Sequence, residues 1–403
     1  MERLTRVECP DSTYRPKQHP LVFSRAEGSI IVDAEDREYI DLSAGFGVLA
    51  LGHNHPIVRK SMGASDELIH AMGDVYPSID KILFLETLAQ IYPRGPAKSA
   101  LALSGSQAVE IAIKTSMLAT KRTGFICFKD SYHGLDLGVL PLTYREDFRK
   151  PFLKWMNADA VEHIEYGCSA DELNAARIRL EQRGYPVAGL LVEPVQGRAG
   201  CKVGKSQWLN SCAAFAADHG IISIVDDIFA GMGRTGVLTH AELANFDLVC
   251  LGKAIGGGLP ISACLGRLEV MNAWPECTSE ALHTGTFFGH PLACRVGTAA
   301  IKHLIEQKLP ERAIELGHQL HQRLQSLLGA SSQVKAIQGK GLMVAIEFDR
   351  AGTGAWLMDE LRAHGVVALA SGHQGQCLAI TPALNIPEQL LWGAVDRLQK
   401  ILR

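Results

Sequence analysis

Two kinds of run alternate along the first three quarters of the chain. Short, continuous stretches of apolar and β-branched residues recur as "SALAL" (99–103), "GFICF" (124–128), "VAGLLVE" (187–193), "IISIVD" (221–226), "DLVCLG" (247–252) and "SACLG" (262–266). Between some of them lie stretches with helical spacing, "SQAVEIAIKTSMLATKR" (106–122) and "SQWLNSCAAFAADHG" (206–220), the second stopping at Gly220. Unbroken apolar strands interleaved with helices predict a mostly parallel sheet covered on both faces. The pattern changes near residue 290. Helices are predicted over 291–307 and 310–328, strands over 334–338 and 341–348, a helix over 354–364, strands over 366–369 and 377–381, and a last helix over 387–402. The first 45 residues, with "SIIVDAEDREYIDLS", read as short strands. The expectation is an α/β chain with a large domain followed by a smaller α+β domain, and with no internal repeat or low-complexity linker.

Composition narrows the function classes. The 403 residues are 47% apolar and 21% charged, enough for a sizeable core. A net charge of −3 gives no reason to expect a nucleic-acid or anionic-membrane partner. No apolar run approaches the roughly 18–20 residues of a membrane span. The opening "MERLTRVECPDSTYRPKQHP" lacks the apolar core of a secretory signal. Ten cysteines are scattered without a C-x-x-C, several inside apolar runs, which suits reduced core thiols in a cytoplasmic protein. The "HNH" at 53–55 has no cysteine or acidic ligand nearby, so no metal site is expected there.

The glycines of "GMGRTG" (231–236) have the G-x-G-x-x-G spacing of a dinucleotide loop. That reading needs a helix after the glycines and an acidic residue about 20 positions on. Instead "VLTHAEL" follows, and Asp226, Asp227 and Phe229 separate the strand from the first glycine. The loop is therefore expected to be a structural turn, and the aspartates at the carboxyl end of the strand carry more information. Lys253, in "LVCLGKAIGGGLP", also follows an apolar strand and precedes three glycines, a setting that suits a Schiff-base lysine. In "LSGSQAVEIAIK" (103–114) a strand runs through Ser-Gly-Ser into a helix, which offers N–H groups and the Ser104 and Ser106 hydroxyls to an anion. Pyridoxal 5′-phosphate (PLP) requires all three: an amine for its aldehyde, a carboxylate for its ring nitrogen and a cradle for its phosphate.

On these residues the sequence resembles the class III aminotransferases of the ornithine, acetylornithine and diaminobutyrate type, from about residue 20 to the C-terminus. "LGHNHP" (51–56), "SGSQAVEIAIK", "SYHG" (131–134), "VEPVQG" (192–197), "DDIFAGMGRTG" (226–236), "GKAIGGGLP" and "HTGTFFGHPLAC" (283–294) carry the resemblance. It implies PLP fold type I with a mostly parallel seven-stranded sheet. Residues 1–48 are expected to pack with the small domain, 49–290 to form the PLP-binding domain and 291–403 the small α+β domain. The resemblance implies that Lys253 holds PLP and moves the proton, that Asp226 protonates the ring nitrogen, and that Tyr132 stacks on the ring. Gly105 and Ser106 are implied to grip the phosphate with Thr286 of a second subunit, in a homodimer. The implied reaction passes an amino group from a primary, terminal amine, such as that of a diamino acid, to a 2-oxo acid in two ping-pong half-reactions. The same residues would serve an aminomutase or epimerase of this fold, and a non-catalytic PLP-fold protein is the remaining alternative.

Several positions depart from the family pattern. Gln107 and Asp227 stand where glutamates are expected, and Phe229 replaces a glutamine. The arginine that many members use for an α-carboxylate is Ala379 here, and its usual glutamate partner is Arg198. Two readings of Arg198 stay open: it takes over carboxylate binding, or it is an exposed loop arginine, in which case the acceptor is a 2-oxo acid such as pyruvate, the amine bears no α-carboxylate, or the substrate arrives on a carrier. Phe46, at a substrate-facing position of the family, is either an apolar wall of the site or an ordinary core residue.

Overall fold

A computed structural model describes residues 2–11, 21–63, 73–329 and 331–402. A seven-stranded sheet lies at its centre. Its strands run in the spatial order Ala97–Ala102, Ser262–Arg267, Leu248–Leu251, Ile222–Asp226, Val187–Val192, Gly124–Phe128, Val161–Ile164. Ser262–Arg267 is antiparallel to both neighbours and every other adjacent pair is parallel. The three innermost parallel strands are buried at every residue, which is why they read as unbroken apolar runs. Their side chains alternate between two cores. Val192, Val225 and Val249 face the core filled by helices Ala170–Gln182 and Ser206–Asp218, through Leu173, Leu180, Leu209 and Phe215. Leu191, Ile224 and Leu248 face helix Gly105–Thr120, through Val109, Ile111 and Ala112. Strand Val161–Ile164 and helix Ile79–Gln90 have no counterpart among the sequence expectations. The strand has four residues, of which only the outer two are buried, too short for an apolar run to stand out.

The N-terminal strands Phe23–Glu27, Ile30–Asp33 and Glu38–Asp41 form an antiparallel meander, extended by Val366–Val367 lying parallel to Glu38–Asp41. A separate antiparallel sheet orders Val334–Lys340, Met343–Phe348, Cys377–Ile380 and Leu369–Ser371. The single strand expected over 366–369 is therefore two strands. The chain passes from one sheet to the other at Ala368, which is itself buried. Helix Pro291–Glu306 packs on Pro56–Met62 and Ile79–Gln90, and helix Leu309–Leu328 packs on the C-terminal sheet.

The G-x-G-x-x-G segment is a tight turn closed by Met232 and Gly233 N–H groups on the Leu238 and Val237 carbonyls. Gly236 has φ +94, and a Cβ there would stand 2.3 Å from the Ile314 side chain of helix Leu309–Leu328. Glycine is required because a helix presses on the turn, not because a nucleotide does. Arg234, buried in the same turn, donates to the Leu342 and Pro382 carbonyls and so joins it to the C-terminal region.

Candidate active site

The carboxyl ends of the parallel strands share one edge of the sheet, and the candidate residues collect there. Asp226 ends strand Ile222–Asp226. Glu193 follows the adjacent strand Val187–Val192, and Lys253 follows Leu248–Leu251 on the other side. Helix Gly105–Thr120 begins just beyond Ala97–Ala102, and Tyr132–Gly134 lies beyond Gly124–Phe128. These segments line one cavity of about 470 Å³ that takes in Phe46, Gly105, Ser106, Tyr132, Arg198, Asp226 and Lys253. Seven of the eight residues named for the site from the sequence therefore meet. The eighth, Thr286, is exposed and lies outside the cavity lining.

Lys253 occupies a left-handed backbone conformation, φ 47, directly after Gly252. Such a conformation costs a bulky residue about 1–3 kcal/mol and is retained where position matters more than local comfort. Its Nζ lies 4.2 Å from the centre of the Phe229 ring. Burial draws the amine down to about pKa 8, against the opposing pull of Asp226 and Glu193, which favour the charged form. The neutral fraction near neutral pH is thus far larger than that of an ordinary lysine.

Asp226 is fixed from two sides. Oδ2 lies 2.7 Å from His133 Nδ1, and Oδ1 accepts the Ile228 N–H at 3.2 Å. His133 is buried, and its outer nitrogen, Nε2, has no partner among the described residues. The neighbouring Asp227 turns away. Its carboxylate accepts the His240 N–H and sits against His240 Nδ1, both at 2.6 Å, and so anchors the turn at 239–242. Glu193 accepts the Tyr132 N–H at 3.0 Å, and burial beside Asp226 raises its carboxyl well above the usual range. Glu193 and His133 were not singled out from the sequence. An acidic residue directly after an apolar strand, in "VEPVQG", and the histidine of "SYHG" were the available signals.

The helix N-terminus leaves N–H groups open to an anion. Ser104 caps it, accepting the Gln107 N–H at 3.2 Å, while Gln107 Oε1 takes the Leu103 and Ser104 N–H groups. Gln107 thus serves as a capping partner in place of the expected glutamate. The next two N–H groups, on Gly105 and Ser106, have no intrahelical acceptor, and Ser106 Oγ accepts the Asp136 N–H at 3.2 Å. Gly134, at φ +124, approaches so closely that a Cβ would stand 2.5 Å from Ser106 Oγ. A buried amine, a locked carboxylate and this cradle around one cavity fit PLP.

Arg198 lies 4.8 Å over the Tyr132 ring and has no ion-pair partner among the described residues. Ala379 lines the same cavity, so the position where an arginine was expected contributes only a methyl group. Phe229 fills the space beside Lys253. Cβ atoms at Gly47 and Gly197 would stand 2.4 and 2.6 Å from its ring. Among the described residues no cluster of histidine, cysteine or acidic side chains could hold a metal. His53 pairs with Asp41 at 2.9 Å, and His55 accepts the Ile57 N–H at the start of a helix. No described helix is long and apolar enough to cross a membrane.

Residues 13–402 match the class III aminotransferase family. An acetylornithine aminotransferase from Methanopyrus kandleri is 34% identical over 331 residues, 81% of each chain. A leucine/methionine racemase from Thermococcus litoralis is 30% identical over 100% of this chain and 94% of its own. The ornithine aminotransferase of Toxoplasma gondii, whose structure carries PLP at partial occupancy in the active site, superposes with a TM-score of 0.87. It is 26% identical, with 99% of this chain and 92% of that one covered. With the buried amine, the carboxylate and the open helix N-terminus assembled at one sheet edge, the chain belongs to the class III aminotransferases, enzymes that work with PLP.

Proposed function

We propose that this enzyme takes the amino group from a primary, terminal amine, such as that of a diamino acid, and delivers it to a 2-oxo acid in two half-reactions in the Lys253 cavity. The observation that carries this reading is the convergence of Lys253, Asp226 and the Gly105–Ser106 helix N-terminus on one cavity. PLP, when bound, supplies an electron sink that lets a proton leave the carbon bearing the amine. Lys253 takes and returns that proton at Nζ, its amine being close enough to neutrality to do both. Asp226, oriented by His133, sets its carboxyl group at the floor of the cavity, where it would face the ring nitrogen. Gly105 and Ser106 would hold the PLP phosphate, and Tyr132 would lie against the ring. Arg198 binds a substrate carboxylate, since Ala379 leaves no guanidinium on the other side. Phe46 walls the apolar stem of the substrate.

The assembly proposed is a homodimer. Val75, Tyr76, Ile79, Leu282 and Phe287 are exposed apolar side chains on two adjoining segments, tied together where Thr284 donates to Asp74. That face carries Thr286, which would reach the partner's phosphate site. We further propose that residues 49–290 form the PLP-binding domain and 291–403 the small domain, with 1–48 packing against the latter through Glu38–Asp41 and Val366–Val367. A cytoplasmic location is part of the same reading, supported by seven buried free thiols.

A racemase among the relatives keeps an isomerase of the same fold as a second reading. One experiment separates them. The absorbance of the purified enzyme is followed with a panel of amines and then with 2-oxo acids. Bleaching by an ω-amine and recovery only on adding a 2-oxo acid is the expected result. Turnover of the amine without any oxo acid would mean isomerisation.

A further inference from the structure

Glu193 is a buried acid at the site to which amine transfer gives no task. It follows Val192, which lies beside Val225 in the parallel ladder, so Glu193 and Asp226 leave adjacent strands side by side. Lys253 follows the strand on the other side of Asp226, and the strand that leads into the helix at Gly105 lies further along in that direction. Glu193 is buried, yet it lines the Lys253 cavity. Its Oε2 accepts the Tyr132 N–H at 3.0 Å, and its Oε1 has no hydrogen-bond partner among the described residues. A buried carboxyl oxygen without a partner is costly, and this acid borders the space that a ligand would fill. Phe229, the other side chain beside Lys253, has no polar atom to offer there.

The pyridine ring of PLP carries its phosphate arm and its 3-oxygen on opposite sides of the axis through the ring nitrogen and the carbon that bears the aldehyde. With the nitrogen at Asp226 and the phosphate at Gly105 and Ser106, the 3-oxygen is turned away from the helix, towards the strand that ends before Glu193. We propose that Glu193 holds the 3-oxygen of PLP, its Oε1 donating a hydrogen bond while Oε2 keeps the Tyr132 N–H. A donor has to carry a proton. Burial and the adjacent Asp226 carboxyl raise Glu193 well above the usual carboxyl range, which supplies it. The inference rests on the reading that places the phosphate at Gly105 and Ser106 and the ring nitrogen at Asp226. It adds a cofactor-binding residue that also positions, through the Tyr132 N–H, the side chain that would lie against the ring.

The test measures, by calorimetric titration of the full-length apo protein, the binding of two PLP analogues without an aldehyde: 4′-deoxypyridoxine 5′-phosphate and its 3-deoxy counterpart. A hydrogen bond of ordinary strength corresponds to about tenfold in affinity. The wild type should therefore bind the analogue that has the 3-oxygen about tenfold more tightly. Glu193→Gln, whose amide can accept the Tyr132 N–H and donate to the 3-oxygen, should keep that ratio within about twofold. Glu193→Ala should lose it, leaving the two analogues within about twofold of each other. A purely structural role would weaken both analogues alike in Glu193→Ala and leave the ratio unchanged, which would overturn the proposal. Equal binding of the two analogues by the wild type, or loss of the ratio in Glu193→Gln, would also overturn it, and both stay readable if Glu193→Ala fails to fold. Phosphate-free 4′-deoxypyridoxine should bind on the order of 10²-fold more weakly than its phosphate. Equal binding of that pair would instead remove the reading of the ring's orientation, and the proposal with it.

Discussion

Asp226 and Asp227 are adjacent in sequence and have opposite tasks. One faces the cavity with His133 behind it, and the other is bonded to His240 in the protein interior. Asp226→Asn replaces the carboxyl group facing the cavity and should lower kcat on the order of 10²-fold or more at little cost in stability. Asp227→Asn should do the reverse, costing about 1–3 kcal/mol of stability through a weakened buried network and leaving kcat near normal. Denaturant melts set beside kinetics of the two variants check this, and the pattern fails if both lose activity alike. Lys253 carries a pH prediction. Its folded pKa of about 8 lies below the ordinary lysine value of 10.5, so without cofactor the folded chain binds fewer protons than the unfolded chain between those limits. Stability of the apo protein should thus rise with pH across that window. Modification of Lys253 by an amine-directed reagent should be half-maximal near pH 8, and a midpoint above 10 would refute the depressed value. At this scale Lys253, Asp226 and Ser106 were legible in the sequence, because each sits at or just beyond the end of an apolar run. Glu193 and His133 escaped notice because their roles come from what faces them across the sheet edge, which spacing along the chain does not reveal.

Elements aim these residues. The parallel strands were legible because burial on both faces makes them unbroken apolar runs. Strand Val161–Ile164 was not, since a short edge strand has half-exposed central positions. The division of 366–371 between two sheets was also hidden, because a change of sheet needs no break in apolar character. The helix N-terminus depends on a close fit between elements. Gly134→Ala would place a methyl group against Ser106 in a backbone region that favours glycine. It should weaken PLP binding by about tenfold or more, the equivalent of at least about 1.4 kcal/mol, while the fold is retained. Equilibrium titration of the apo protein with PLP measures it, and an unchanged affinity would contradict the role given to this cradle.

For the whole molecule, the exposed apolar residues beside Thr286 form the kind of face that a second copy would cover. The account places Thr286 in the partner's site, which complementation can test. Lys253→Ala and Thr286→Ala proteins, mixed and allowed to exchange subunits at limiting PLP, should regain activity, because one site of each mixed dimer then has both residues intact. If Thr286 acted within its own subunit, no mixed dimer would have an intact site and activity would not return. The resemblance suggested this assembly from the sequence, whereas spacing and composition alone could not, since interface residues have no periodicity of their own. The central claim is that Lys253 in this cavity carries the cofactor. Borohydride reduction of the PLP-loaded enzyme, followed by peptide mapping, tests it most directly. The account predicts a single modified lysine, Lys253, and no fixed label in Lys253→Ala; label fixed on any other lysine in the wild type would contradict it.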